Sequence, residues 1–207
     1  MDCNIFNVKD VSRETLERLR LFESLVKKWT KTINLVSKRD FSKIWERHIL
    51  DSAQIYAHLP KSPGIYSDFG SGAGFPSIVL ATLLYEENPN LKTHLIESDG
   101  RKAAFLRTAL RELQIPGTVW VQRVQEVTLP PVSILSARAV APLSELLSMA
   151  EALINEETTC FFPKGVSWKK EVDRAQKQWK FSLKTINSHT QSEAVILELG
   201  SIKRVRD

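Results

Sequence analysis

Three glycines at alternate positions follow an acid in Asp68-Phe69-Gly70-Ser71-Gly72-Ala73-Gly74. The apolar run 65–69 leads into them, and Phe75-Pro76 leads out toward a helical pattern. Glycine tolerates backbone angles and close approaches that a side chain forbids. A ligand can therefore lie against the backbone at the mouth of the strand. The dinucleotide fingerprint sets its third glycine three places after the second; here it follows after two.

An acid followed by Gly-x-Gly-x-Gly is the first motif of enzymes that use S-adenosylmethionine. That ligand has no pyrophosphate to cradle, but it has an amino-acid end whose ammonium Asp68 can orient through water. A second acid is expected at the tip of the second strand, on the ribose diol. Glu97 closes the run Thr93-His94-Leu95-Ile96, and a carboxylate can accept both hydroxyl protons. A nicotinamide or flavin oxidoreductase is the rival class, and the glycine spacing argues against it.

Other groups test the type of methyl transfer. Enzymes acting on exocyclic amines place Asn or Asp, prolines and an aromatic after the fourth strand; Ser136-Ala137-Arg138-Ala139 stands there. Pyrimidine C5 chemistry needs a cysteine nucleophile, whereas Cys160 sits inside the apolar run Thr159-Cys160-Phe161-Phe162 and reads as core. Cys3 reads as a terminal thiol. The cysteines fit neither a disulfide framework nor a zinc spacing. Arg138 offers a planar fork suited to a carboxylate or a base edge, and Lys164 lies just past the fifth strand. Arg47, His48 and Asp51 share one face of a helical pattern, where a structural network, an RNA contact or a cofactor-side contact are the open readings. No metal site is expected.

The elements that must position these groups follow from periodicity. Leu16, Leu19, Phe22, Leu25, Val26 and Trp29 recur at helical spacing over 12–30. A second helix is expected over 40–58, with Asp40 as its N-cap and Ile44, Trp45, His48, Ile49 and Ile55 on its apolar side. Beyond the break at 60–64, short apolar runs (65–69, 93–96, 119–121, 133–135, 159–162) alternate with helical stretches (76–85, 101–113, 143–154, 167–179). Alternation predicts a parallel sheet with helices on both faces. Two closing strands, 181–187 and 193–199, predict an antiparallel pair. The expected fold class is α/β: a Rossmann-like class I methyltransferase fold with a mostly parallel seven-stranded sheet, residues 63–207, and an N-terminal helical extension, 1–62, packed on it.

The chain has 207 residues and a formal charge of +5, with 29 Lys and Arg against 24 Asp and Glu. That mild excess is compatible with a polyanionic partner. No run approaches the ~18 apolar residues a bilayer span needs, and the first residues lack a signal pattern. A cytoplasmic, monomeric protein is the default expectation.

Several strings together resemble the bacterial 16S ribosomal RNA guanine-N7 methyltransferase family, also called glucose-inhibited division protein B. They are Asn34-Leu35-Val36-Ser37 with Arg39-Asp40, Trp45 to Ser52, Asp68 to Pro76, Glu97-Ser98 with Arg101-Lys102 and Phe105-Leu106, Ser136 to Ala139, and Lys164-Gly165. The resemblance implies transfer of methyl from S-adenosylmethionine to N7 of a guanine in the 530 loop of 16S ribosomal RNA, free or in the small subunit. It implies a cofactor pocket of Asp68, Gly70, Gly72, Gly74, Phe75, Glu97, Val124, Gln125 and Arg138. Arg138 and Lys164 would position the reactants, and Arg47, His48, Asp51, Arg101, Lys102 and Lys164 would serve RNA binding or structure. Guanine N7 carries a free lone pair, so no general base is expected. The chain departs from the family at Ser77 and Val79, where Gly and Pro are usual, at Val140, usually Phe, and at Gln125, often an acid. A non-catalytic binding module and a small-molecule methyltransferase are the alternatives.

Overall fold

The computed structural model describes residues 11–60 and 64–205. Cys3 and the expected boundary at 62/63 lie outside them. Seven strands form one sheet in the order β3-β2-β1-β4-β5-β7-β6. They are β1 Ile65–Phe69, β2 Lys92–Ile96, β3 Thr118–Trp120, β4 Ile134–Ser136, β5 Thr159–Lys164, β6 Trp179–Asn187 and β7 Val195–Arg204. Strands β1 to β5 pair in parallel, while β7 runs antiparallel to both β5 and β6. The closing pair is longer than its apolar periodicity suggests, because exposed residues alternate along β6.

Every residue of β1 is buried, as a central parallel strand requires when helices cover both faces. β1 neighbours β2 on one side and β4 on the other. The chain reverses its strand order there, and the crevice beyond the carboxyl ends at such a switch is where α/β sheets bind ligands.

The helices are α1 Arg13–Thr30, α2 Asp51–Ala53, α3 Ser77–Glu87, α4 Gly100–Glu112, α5 Leu143–Met149 and α6 Trp168–Ala175. Apolar residues of α3 and α4 share one core with Leu19, Phe22 and Val26 of α1; those of α5 and α6 build a second, and Leu80 and Leu84 of α3 join a third. The Ser12 hydroxyl caps α1 by accepting from the Thr15 N–H and donates to Glu86 on α3, 2.8 Å away. Phe22 of α1 lies 5.2 Å from the Phe75 ring and Trp29 lies 5.6 Å from Phe105. The first helix is thus laid directly over the glycine loop.

The single helix expected over 40–58 is instead a succession of turns. A 3₁₀ turn, Phe41–Lys43, precedes a π-helical turn, Trp45–Leu50; then come α2 and a 3₁₀ turn, Tyr56–His58. Asp40 does not cap it with its side chain. Its carboxylate is taken by the Ser37 hydroxyl at 2.6 Å and by Arg47 at 2.8 Å. Ile44, Ile49 and Ile55 are buried as expected. The stretches read as 143–154 and 167–179 are also shorter helices, since Glu151–Leu153 tightens to a 3₁₀ turn and Trp179 already opens β6.

Candidate active site

All three loop glycines have left-handed backbone, with φ of 63° at Gly70, 52° at Gly72 and 81° at Gly74. Two of them also have no room for a side chain. A Cβ on Gly70 would meet Val140 at 2.5 Å, and one on Gly74 would meet Ile78 at 2.7 Å and Phe22 at 2.9 Å. Gly72 differs: a Cβ there would find only the Gly70 carbonyl, 3.6 Å away. Its space is open at the strand tips. The Gly72 N–H donates to Glu97 Oε2 at 2.8 Å, and the Asp99 N–H donates to Glu97 Oε1 at 2.7 Å. Each oxygen keeps a lone pair, so the acid at the tip of β2 orders the loop and retains acceptor capacity.

Asp68 is fully buried beneath the loop. Ser136 on β4 donates to its Oδ2 at 2.5 Å, and the Ser136 hydroxyl also contacts the Tyr66 hydroxyl at 2.9 Å. Burial disfavours the charged carboxylate and lifts the Asp68 pKa to about 7, against the pull of the Ser136 hydrogen bond and the Arg138 charge.

A second group assembles around Arg138, just past β4. Its guanidinium donates to Asp51 Oδ2 at 3.2 Å and to His48 Nδ1 at 3.1 Å, and lies 5.3 Å from the Phe75 ring centre. Arginine only donates, so His48 Nδ1 accepts and the proton resides on Nε2, which is buried without a partner. Burial, then the Arg138 charge, lowers the His48 pKa to about 4, leaving a neutral ring stacked on Phe75 at 5.0 Å. Asp51 Oδ1 accepts from Gln54 at 3.0 Å and from the Thr190 hydroxyl. The β6–β7 turn is thereby tied through Asp51 and Arg138 to the glycine loop. Ala139 follows with φ of 56°, a conformation an L-residue holds only under local constraint.

His48, Asp51, Gln54 and Arg138 line a cavity of about 720 Å³, within the range of small-molecule sites. Arg39, Arg47, Arg138, Lys164 and Glu171 are among its walls. Lys164 donates to the Ala141 carbonyl at 2.8 Å and pairs with Glu171 at 2.8 Å. Burial pushes the Glu171 carboxyl up, but Lys164 and its other donors hold it below its usual value.

The family model described as GidB, rRNA small subunit methyltransferase G, matches residues 15–197. The chain belongs to this family. Ribosomal RNA small subunit methyltransferase G of Ruegeria sp. (strain TM1040) is 47% identical over 196 residues, 95% of each chain. The protein of the same name from Rhodospirillum centenum (strain ATCC 51521 / SW) is 45% identical over 192 residues, 93% of this chain and 87% of that one. Among solved structures, a SAM-dependent methyltransferase from Aquifex aeolicus superposes with a TM-score of 0.60 at 11% identity, over 87% of this chain and 97% of that one. M. jannaschii TYW2 in complex with AdoMet gives 0.58 at 13%, over 80% and 81%. The fold is that of Rossmann-like methyltransferases.

In this GidB-family chain the residues read from sequence fall into three places. Asp68, Gly70, Gly72, Gly74 and Glu97 surround the loop, with Val124 buried beside the tips of β1 and β2 and Gln125 exposed next to it. Arg47, His48, Asp51, Arg138 and Lys164 share the cavity. Phe75 joins the two groups. Arg101 and Lys102 stand apart: their N–H groups cap α4 through Asp99, and they line a smaller depression of about 300 Å³ with Thr32, Ile33 and Asn34. His48 and Asp51 converge on Arg138, whereas Arg47 turns to Asp40. Ser136, Gln54, Glu171 and Thr190 were missed. Each has a partner far away in sequence: Ser136 meets Asp68 across 68 residues, Glu171 meets Leu143 across 28, Thr190 meets Asp51 across 139 and Gln54 meets His189 across 135. Among the described residues no cluster of His, Cys, Asp or Glu could hold a metal ion, and no helix is long and apolar enough to cross a membrane.

Proposed function

We propose that this chain transfers the methyl group of S-adenosylmethionine to N7 of a guanine in the 530 loop of 16S ribosomal RNA, acting as a cytoplasmic monomer on the RNA or the small subunit. One observation carries the reading: the Glu97 carboxylate, at the tip of β2, holds the open face of the glycine loop through the Gly72 N–H. The lone pairs left on that carboxylate suit a nucleoside whose free diol donates. Glu97 would take the ribose hydroxyls, Gly70 and Gly72 the amino-acid end, Asp68 its ammonium, and Val124 with Gln125 the adenine. When bound, the cofactor supplies an electrophilic methyl group on a sulfonium. The small-subunit RNA substrate is supported by the names of the relatives, and the N7 position by the resemblance in sequence.

What the chain's own residues must do is mostly positional. N7 of guanine needs no deprotonation, and alignment of reacting atoms supplies much of the acceleration in such a transfer. Asp51 and His48 fix the Arg138 fork between the cofactor loop and the cavity. Three of its five N–H donors remain for the base or for the cofactor carboxylate. Residues 1–62 would serve as the extension that covers the loop, and 63–207 as the transferase unit. Incubation with small subunits and labelled S-adenosylmethionine, followed by mass mapping of the RNA, tests this. Label at N7 of one 530-loop guanine is expected; label elsewhere, or none, overturns it.

A further inference from the structure

The charged groups on the cavity wall match one to one, with a single cation left over. Arg47 pairs with Asp40 at 2.8 Å, Arg138 with Asp51 at 3.2 Å and Lys164 with Glu171 at 2.8 Å. His48 is neutral near pH 7. Arg39 lines the same cavity, is exposed, and among the described residues that line it is the one arginine or lysine with no ion pair or hydrogen bond. Its neighbour Lys38 is exposed too and lines a separate depression with Thr30, Lys31 and Phe41. The wall therefore carries one uncompensated positive charge at its open side.

A guanine base is neutral and cannot answer that charge. Its phosphate can. A target base in folded RNA must be splayed out of its stack to enter a pocket, and its backbone then lies at the rim. We infer that Arg39 is the rim contact for the backbone phosphate of the nucleotide whose base enters the cavity. This rests on the RNA-methyltransferase reading above. The contact fixes register and is blind to the base. A phosphate needs positive charge at that point and tolerates a lysine in place of the fork, whereas stacking on a base needs the planar guanidinium.

The test compares wild type, Arg39→Ala, Arg39→Lys and Lys92→Ala. Lys92 is exposed at the start of β2, the opposite end of the sheet from the cavity. Small subunits and labelled S-adenosylmethionine give kcat and KM, and a 530-loop RNA fragment gives affinity against salt. For Arg39→Ala we expect KM for RNA to rise about 3- to 10-fold and the log–log salt slope to become shallower by about 0.7. The melting temperature and the calorimetric affinity for S-adenosylmethionine should not change. Arg39→Lys should recover most of the affinity, and Lys92→Ala should match wild type. Unchanged RNA affinity and slope in Arg39→Ala, with wild type active, overturns the inference alone. Loss of cofactor affinity instead would move Arg39 to the cofactor carboxylate and also overturn it. A lysine variant as weak as the alanine one overturns the phosphate contact in favour of stacking. A wild type that labels no RNA overturns the underlying reading, and this inference with it.

Discussion

Asp68 offers a test in which the sign of a pH effect carries the argument. Its carboxyl is fully buried and its pKa stands at about 7 rather than the ordinary 3.8. If its ionised form meets the ammonium of the cofactor, binding requires the proton to leave. With a pKa of about 7, roughly one-eleventh of the protein is ionised at pH 6 and roughly ten-elevenths at pH 8. Affinity for S-adenosylmethionine should then strengthen about tenfold between these pH values, equivalent to about 1.4 kcal/mol. Asp68→Asn removes the titration, so calorimetry of the variant should give weaker binding at pH 8 and lack this tenfold change. The ligand's own amino group titrates in both experiments and cancels in the ratio of wild type to variant. Stability moves the other way. A raised folded pKa gives stability that is complete below 3.8 and lost as pH rises toward about 7. The asparagine variant should therefore melt above wild type at pH 8, by up to about 4 kcal/mol for a shift of about three units, and the gain should vanish near pH 4. A ratio of affinities that stays flat from pH 6 to 8 refutes the role of Asp68 at the ammonium. An asparagine variant that melts below wild type at pH 8 refutes the buried-charge argument itself.

Two further perturbations test the scaffold. Gly74→Ala combines a left-handed residue with contacts of 2.7 Å to Ile78 and 2.9 Å to Phe22; it should cost about 3 kcal/mol. Gly165→Ala, which meets nothing within 4 Å, should be nearly neutral, and equal melting temperatures for the two variants would contradict the packing of α1 on the loop. Lys164→Met strips the buried partner from Glu171 and from the Ala141 carbonyl. In a thermodynamic cycle with Glu171→Gln, the coupling should be about 1–3 kcal/mol, with cofactor affinity unchanged. Strictly additive losses would show that the pair does not hold β5 to α6.

The glycine loop was legible because its signal is local. An acid and three glycines in alternation occupy seven consecutive residues, 68–74, just ahead of the helix that starts at Ser77, and glycine takes at the least cost the left-handed backbone seen at 70, 72 and 74. Glu97 was legible because strand length and parallel order place the end of β2 beside the end of β1. The helical character of 12–30 and the closing antiparallel pair came from periodicity, which depends on one face meeting the core.

The amino-acid order by itself determined the strand–helix alternation, the loop and the acids at two strand tips, since each is written in neighbouring residues. It did not determine the irregular turns over 40–58. Within them His48 and Asp51 reach Arg138, 90 and 87 residues away. Nor did it reveal that Lys164 is spent on Glu171, that Ser136 secures Asp68, or that Arg39 is left without a carboxylate. Which charge meets which, and how dry the meeting place is, depends on segments distant in the chain arriving at one crevice. Only the folded packing sets those distances and that burial, and so only it decides the protonation and pairing on which the site operates.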